Sequence, residues 1–375
     1  MTYSKLPGVY FSETVTSQPE EIDPTIDYVP LFVVQTSTEI EQIDDKLAYF
    51  EGLEALHTLV DGKGLTKSVE TIEKTLTQYK TNRFYVYNIH TDTSASINTI
   101  ISNCVNKKEI IDVVLIEETK SAQANNINTK IKALQSALNN NFENGAFRTA
   151  IILPYGTVAD AVANKGENDK TSTVVINTLT TAFNGVTDGR IIGVVPDEQI
   201  MGAMTGQILA SPFYRESGFD AIEFNGTLDY EFDYNEMLTL QNMGICFARE
   251  ESRNGVKQYH INLGVTTSFA NSSADGLIKA RKTVDEVLRR VGAECENLIK
   301  SEDVETSNVF IQSECDAVIN DFIENRYILK STVTDGVTYT SKLTASVVDK
   351  FTINVTGTII PSGCLIAVNV NTTIR

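Results

Sequence analysis

From Tyr28 onward, short apolar runs alternate with amphipathic stretches. Leu31-Phe32-Val33-Val34, Phe84-Tyr85-Val86-Tyr87, Asp112 to Ile116, Thr149 to Pro154 and Arg190 to Pro196 read as strands, the last two ended by proline. Between them, Ser68 to Tyr79 sets Val69, Ile72 and Leu76 on one helical face. Asn126 to Leu138 does the same with Ile127, Ile131, Leu134 and Leu138. Thr173 to Phe183 is a weaker helix, because its β-branched residues lose rotamer freedom there. Gly202 to Leu209 predicts a small-residue helix. Apolar strands spaced by helices imply a sheet covered on both faces.

The pattern changes after about residue 230. Gly244 to Ala248 and Tyr259 to Leu263 read as strands flanking a turn at Arg253-Asn254-Gly255. Long helices are predicted from about Ser273 to Lys300 and from Ser307 to Asn325. Asp335-Gly336, between Thr332-Val333-Thr334 and Val337-Thr338-Tyr339, is a hairpin signal. Val347 to Thr358 alternates, with Phe351, Ile353 and Val355 opposite Thr352, Asn354 and Thr356, and Leu365 to Asn371 alternates again. No solenoid-type repeat is present.

Charge narrows the function classes. The 375 residues carry 31 Lys+Arg against 49 Asp+Glu, a net charge of −18. That balance disfavours a nucleic-acid backbone as main partner, since neutralising phosphates needs clustered basic residues. No apolar run approaches the ~20 residues that cross a bilayer, and no secretory signal is recognised at the start, so intracellular synthesis is expected. Five separated cysteines read as buried thiols. Three scattered histidines, no HExxH and no GxSxG leave no metal, cofactor or nucleophile site in view. Two segments imitate a phosphate loop, Asp61 to Ser68 and Gly166 to Thr171, but both lack the Gly before Lys.

The one suggestive acidic run is Leu228 to Tyr234. In an extended chain Asp229, Glu231 and Asp233 share a side, opposite Tyr230, Phe232 and Tyr234. Such carboxylates suit a cation site or a glycosidase acid/base pair. They equally suit the solvent face of a half-buried strand or loop. An α/β enzyme acting on a carbohydrate or phosphate is therefore the rival class.

Two further features bear on function. Both ends of the chain are extended and apolar on at least one face, around Val9-Tyr10-Phe11 and Leu365-Ile366-Ala367-Val368-Asn369-Val370. Each is either an edge strand of its own domain or a strand donated to another copy. The helix from 273 to 300 has two faces. Leu277, Ala280, Val284, Val287, Leu288, Val291, Cys295 and Leu298 share one. Lys279, Lys282, Arg289 and Arg290 fall opposite, with Arg281 nearer the apolar edge. A basic stripe in an acidic chain either docks an acidic protein or is a solvated face with intrahelical ion pairs.

Several of these segments, taken in order, resemble contractile-tail sheath proteins of myovirus-type phages and R-type bacteriocins. Leu6-Pro7-Gly8-Val9-Tyr10-Phe11-Ser12-Glu13 is similar to the PGVY-x-x-E opening of that family. Tyr28 to Val34 resembles its first core strand. Pro196-Asp197-Glu198 with Met201 to Gly206 resembles its small-residue helix, and Asn242 to Cys246 a strand entry. Ala280 to Asp285 resembles its arginine-bearing helix, and Ile360 to Val368 its closing strand. The glycine-rich stretch of many relatives is reduced here to Tyr79 to Arg83.

The resemblance implies an N-terminal arm (1–26), an outer α/β domain (27–235), an inner α+β domain (236–363) and a C-terminal arm strand (364–375). The arm strands would pair with neighbouring subunits. It implies a non-enzymatic subunit without cofactors, made in the bacterial cytoplasm, that stacks as hexameric rings around an inner tube and contracts. Other copies, the tube protein and the baseplate and terminator proteins would be its partners. Lys279, Lys282, Arg289 and Arg290 become candidates for facing the tube. A non-contractile shell subunit is a third possibility.

Overall fold

The structure is a computed structural model. It describes residues 28–36, 38–90, 94–104, 107, 109–119, 127–142, 148–164, 172–218, 220–253, 256–270, 275–298, 304–334, 336–349 and 352–362. The first part of the chain carries β1 (Leu31–Val34), β2 (Ala48–Glu51), α1 (Leu53–Val60), α2 (Thr66–Tyr79) and β3 (Arg83–Asn88). There follow α3 (Ser94–Asn103), β4 (Asp112–Ile116), α4 (Ile127–Phe142), β5 (Thr149–Leu153) and α5 (Tyr155–Ala163). Next come α6 (Ser172–Ala182), β6 (Ile191–Val194), α7 (Met201–Ala210), α8 (Tyr234–Asn242) and β7 (Ile245–Cys246). The pair β8 (Ala248–Arg253) and β9 (Val256–Ile261) leads into α9 (Ile278–Leu298) and α10 (Val304–Glu324). Two hairpins close the chain, β10 (Ser331–Thr334) with β11 (Val337–Thr340) and β12 (Lys342–Asp349) with β13 (Thr352–Thr358).

Seven strands form one sheet in the order β2-β3-β1-β4-β5-β6-β7, parallel throughout except for β2. Its inner strands are buried on both sides, as parallel sheets require. Phe32, Val86, Val114, Ile151 and Ile192 point into one core with α1, α2 and α7. Their neighbours Val33, Tyr87, Val113, Ile152 and Ile191 point into a second core with α3, α4, α6 and α8. The period of two thus feeds two layers of helices.

Helix α2 lies close against α7. A Cβ on Gly202 would come within 2.7 Å of the Thr71 carbonyl, and one on Gly206 within 2.5 Å of the Thr75 carbonyl. Thr75 Oγ1 donates to the Gly202 carbonyl at 3.0 Å, a bond only such an approach permits. The weakly predicted helix at 173–183 does form as α6, because Val175, Ile176, Leu179 and Ala182 are buried in the second core. Packing outweighs the modest propensity penalty.

The sheet continues beyond residue 235, since β7 pairs with β6, and the first core extends to Ile278 and Ala280. The alternating run 347–358 is two strands: β12 and β13 pair antiparallel, and Val347 and Thr358 lie on opposite arms. Alternation alone does not reveal such a reversal. A third core joins Val284, Val287, Leu288, Val291 and Cys295 of α9 to α10, β12 and β13.

Candidate functional site

The residues that carry most of the buried charge sit where α9 crosses the amino ends of the parallel strands. Tyr28 precedes β1, Asp112 opens β4, Arg148 precedes β5 and Arg190 precedes β6. Arg190 makes a two-pronged bond to Asp285 of α9, at 2.8 and 3.0 Å. Arg281, one turn earlier, reaches the same carboxylate at 2.6 Å. Burial alone would raise the Asp285 pKa, but the Arg190, Arg281 and Arg289 guanidiniums outweigh it and hold the carboxyl down to about 2.

Of the four stripe residues, Lys279 and Lys282 are buried and Arg289 and Arg290 half-buried, so the stripe is not the outward basic face that its spacing suggests. Lys279 and Lys282 are only 4% and 8% exposed. Lys282 Nζ donates to the carbonyls of Ile208 at 2.8 Å and Ser211 at 3.4 Å, and lies 3.9 Å from Asp112. Burial pushes its pKa down, with Asp112 acting in the opposite direction. Arg289 bonds Glu286 at 2.6 Å and its guanidinium lies over the Tyr28 ring. The Tyr28 hydroxyl donates to the same Glu286 at 2.9 Å. Arg290 bridges Glu286 and Asp321 and lies over the Phe322 ring. The helix is buried on every side from Ile278 to Leu288, sandwiched between the sheet edge and α10. Within this chain Lys282 thus lies beside Asp112, and Arg289 and Arg290 pair with Glu286.

The opposite, carboxyl edge of the sheet is where open α/β sheets bind ligands. Here it is filled from within. Glu118 accepts from the N–H groups of Lys67 and Ser68 at 3.0 and 2.6 Å, closing the start of α2. This is the stretch that imitates a phosphate loop, and its helix N-terminus already holds an anion. Glu117 does the same for α5 through Thr157 N–H at 2.9 Å. The second imitation, Gly166 to Thr171, lies outside the described residues.

The acidic run does not form a strand. Asp229 accepts from Glu198 N–H, while its own N–H donates to Asp197 at 2.7 Å. Asp233 caps α8 in a reciprocal box with Glu236, both bonds 2.9 Å. Glu231 is exposed. The three carboxylates are thus divided between loop closure, helix capping and solvent. Desolvation, then the Asp229 charge, raise the Asp197 carboxyl to about 6.

Cys104, Cys246, Cys295 and Cys315 are buried and unbridged, as expected, and burial pushes Cys104 and Cys246 up to about 11 and about 12. Among the described residues, no group of His, Cys, Asp and Glu could hold a metal, and no helix is long and apolar enough to cross a membrane. The arm residues Val9, Tyr10, Phe11, Leu365, Ile366, Ala367, Val368 and Val370 lie outside the described residues. Sequence reasoning missed Arg190, Glu117 and Glu118. The only local signal was the i, i+4 spacing of Arg281 and Asp285.

The fold so assembled is that of contractile sheath proteins. It is similar over 100% of both chains to a chain of the anti-feeding prophage (AFP) baseplate, with a TM-score of 0.65 and 11% identity. A second likeness is to the sheath complex of the extracellular contractile injection system PVC in its contracted state. It covers 100% of this chain and 99% of that one, at TM-score 0.62 and 12% identity. A third is to the sheath tail protein of Listeria innocua, with 91% and 93% covered, TM-score 0.59 and 9% identity. At the level of sequence, no family model and no curated protein matches.

Proposed function

We infer that this chain is a structural subunit of a contractile sheath, made in the bacterial cytoplasm and acting in an extracellular particle. The observation that carries the reading is the fold likeness over the full length of sheath chains, at TM-scores of 0.59 to 0.65. The subunits stack as hexameric rings around an inner tube, with baseplate and terminator proteins at the ends. Terminal arms of one copy add strands to another, a heterologous contact that propagates instead of closing. The extended lattice is a kinetically trapped state, and contraction releases it without nucleotide hydrolysis.

The buried charge seam suits this role. It fixes the sheet to α9, so that a subunit moves as one body and strain is delivered to the contacts between copies.

Negative-stain imaging of the expressed chain, with and without a tube subunit, tests the reading. Rods or stacked rings are expected. Deleting residues 1–15 or 364–375 should leave a folded monomer that forms neither. A small closed oligomer of the full chain, or rods that persist after either deletion, would count against it.

A further inference from the structure

The third core joins the far half of α9 to α10, and it contains two cysteines. On α9, Cys295 continues the buried row of Val284, Val287, Leu288 and Val291. On α10, Cys315 continues the row of Ile311, Val318, Ile319 and Phe322. Arg290 bonds Asp321 and lies over the Phe322 ring. Farther along α9 and farther back along α10, as antiparallel packing requires, the Cys295 and Cys315 thiols meet in a hydrogen bond. Both side chains are fully buried. Cys104 and Cys246 lie in the other two cores, away from this pair.

Two thiols in contact can do what a lone buried thiol cannot. The thiolate is the reactive form of cysteine, and its first oxidation product is captured by a second thiol within reach. The pair is electrostatically unequal. Cys295 sits in the last turn of α9, where the negative end of the helix dipole opposes a thiolate. The bond between the sulfurs acts in the same sense. It lowers the Cys315 pKa and raises that of Cys295, so Cys315 ionises first while Cys295 keeps its proton.

Solvent is close to both. Ala293 and Glu294 beside Cys295 are exposed, and so are Asp316 and Ala317 beside Cys315. A small oxidant needs only a local opening of the helix pair to reach the sulfurs.

We propose that Cys295 and Cys315 form a dithiol site that closes to a disulfide on meeting a peroxide and so staples α9 to α10. The Cys315 thiolate attacks one peroxide oxygen and displaces the other as hydroxide, which leaves a sulfenic acid on Cys315. The Cys295 sulfur then attacks the Cys315 sulfur. The S–S bond forms, the S–O bond breaks, and the hydroxyl leaves as water with the Cys295 proton. Overall the two thiols lose two electrons, and one hydrogen peroxide is reduced to two waters. The bridge spans the α9–α10 connection and restricts the unfolded chain. A cytosol keeps such a pair reduced, whereas an extracellular setting lets it close. The sheath reading bears only on where the chain meets its oxidant, since the site is complete within one copy.

The test uses the full-length chain, reduced and freed of reductant. It is treated with hydrogen peroxide and denatured, and its remaining thiols are tagged with a maleimide polyethylene glycol. The sequence has five cysteines, so the reduced chain carries five tags. After peroxide three should remain, five less the bridged two, and dithiothreitol should restore all five. Trypsin cuts at Lys300, between the two cysteines, so a disulfide-linked pair of peptides identifies the bridge. The bridged chain should melt several degrees above the reduced one. Cys295→Ser should abolish the bridge and leave a sulfenic acid on Cys315 that dimedone traps. Five tags after peroxide, tags that dithiothreitol does not restore, a bridge between other cysteines, or an unchanged melting temperature would each overturn the proposal. None of these results touches the sheath reading, because they are measured before assembly. A failure to form rods would remove that reading and leave the dithiol site standing.

Discussion

The two edges of the parallel sheet carry charge to opposite ends. At the amino edge, Arg190 and Asp285 lie 95 residues apart in sequence and join two different elements in a dry seam. At the carboxyl edge, Glu117 and Glu118 turn back to cap α5 and α2. The first arrangement couples parts of the molecule, and the second completes one part. A sheet that bound a ligand would reverse the emphasis, leaving helix N-termini free at its carboxyl edge.

The largest break in the comparison is Asp285→Ala. It strips a carboxylate that is 1% exposed and leaves Arg190 and Arg281 buried without it. Removing one partner of a buried pair costs about 3–5 kcal/mol. Urea denaturation should show that loss, and a loss below about 1 kcal/mol would mean the seam is wetter than its geometry.

Acid separates the edges by sign. The Asp197 carboxyl is raised from 3.8 to about 6 in the folded chain, so between those values the folded state binds the extra proton. Its contribution to stability therefore rises as pH falls from 6 to 4, by on the order of 3 kcal/mol at most. Asp285 is lowered to about 2, so its contribution is full above 3.8 and lost as pH falls from there toward 2. Asp197→Asn should flatten the upper window of a stability-against-pH curve and leave the lower one. An unchanged slope between pH 4 and 6 would remove the assignment.

The sheet was legible in the sequence because its strands are buried on both sides, and a run such as Asp112 to Ile116 has no other reading at that length. Helix α9 was legible in its span and its two faces. Its fate was not: periodicity tells which side chains share a face, never what covers that face. The cover for Lys282 and Arg289 comes from Asp112 and Tyr28, distant in sequence, and only the tertiary fold brings them in. The acidic run misled in a related way. Asp233 is the first half of a capping box with Glu236, a local signal that the alternation of Asp229, Glu231 and Asp233 obscured.

The smallest expected effect bears on the carboxyl edge most directly. No side chain of the local sequence caps α2, and Leu65 at its N-cap position has none to offer. Glu118 supplies the cap from 50 residues away, through two backbone N–H groups and the Ser68 hydroxyl at 2.6 Å. Glu118→Ala should therefore cost about 1–2 kcal/mol, the scale of a lost N-cap. It should also leave an empty anion position at a helix N-terminus. Inorganic phosphate at millimolar concentration should then restore part of the lost melting temperature in Glu118→Ala while leaving the parent unchanged. If phosphate shifts both proteins equally, the N-terminus of α2 was never an anion site, and the likeness of Asp61 to Ser68 to a phosphate loop is one of spelling only.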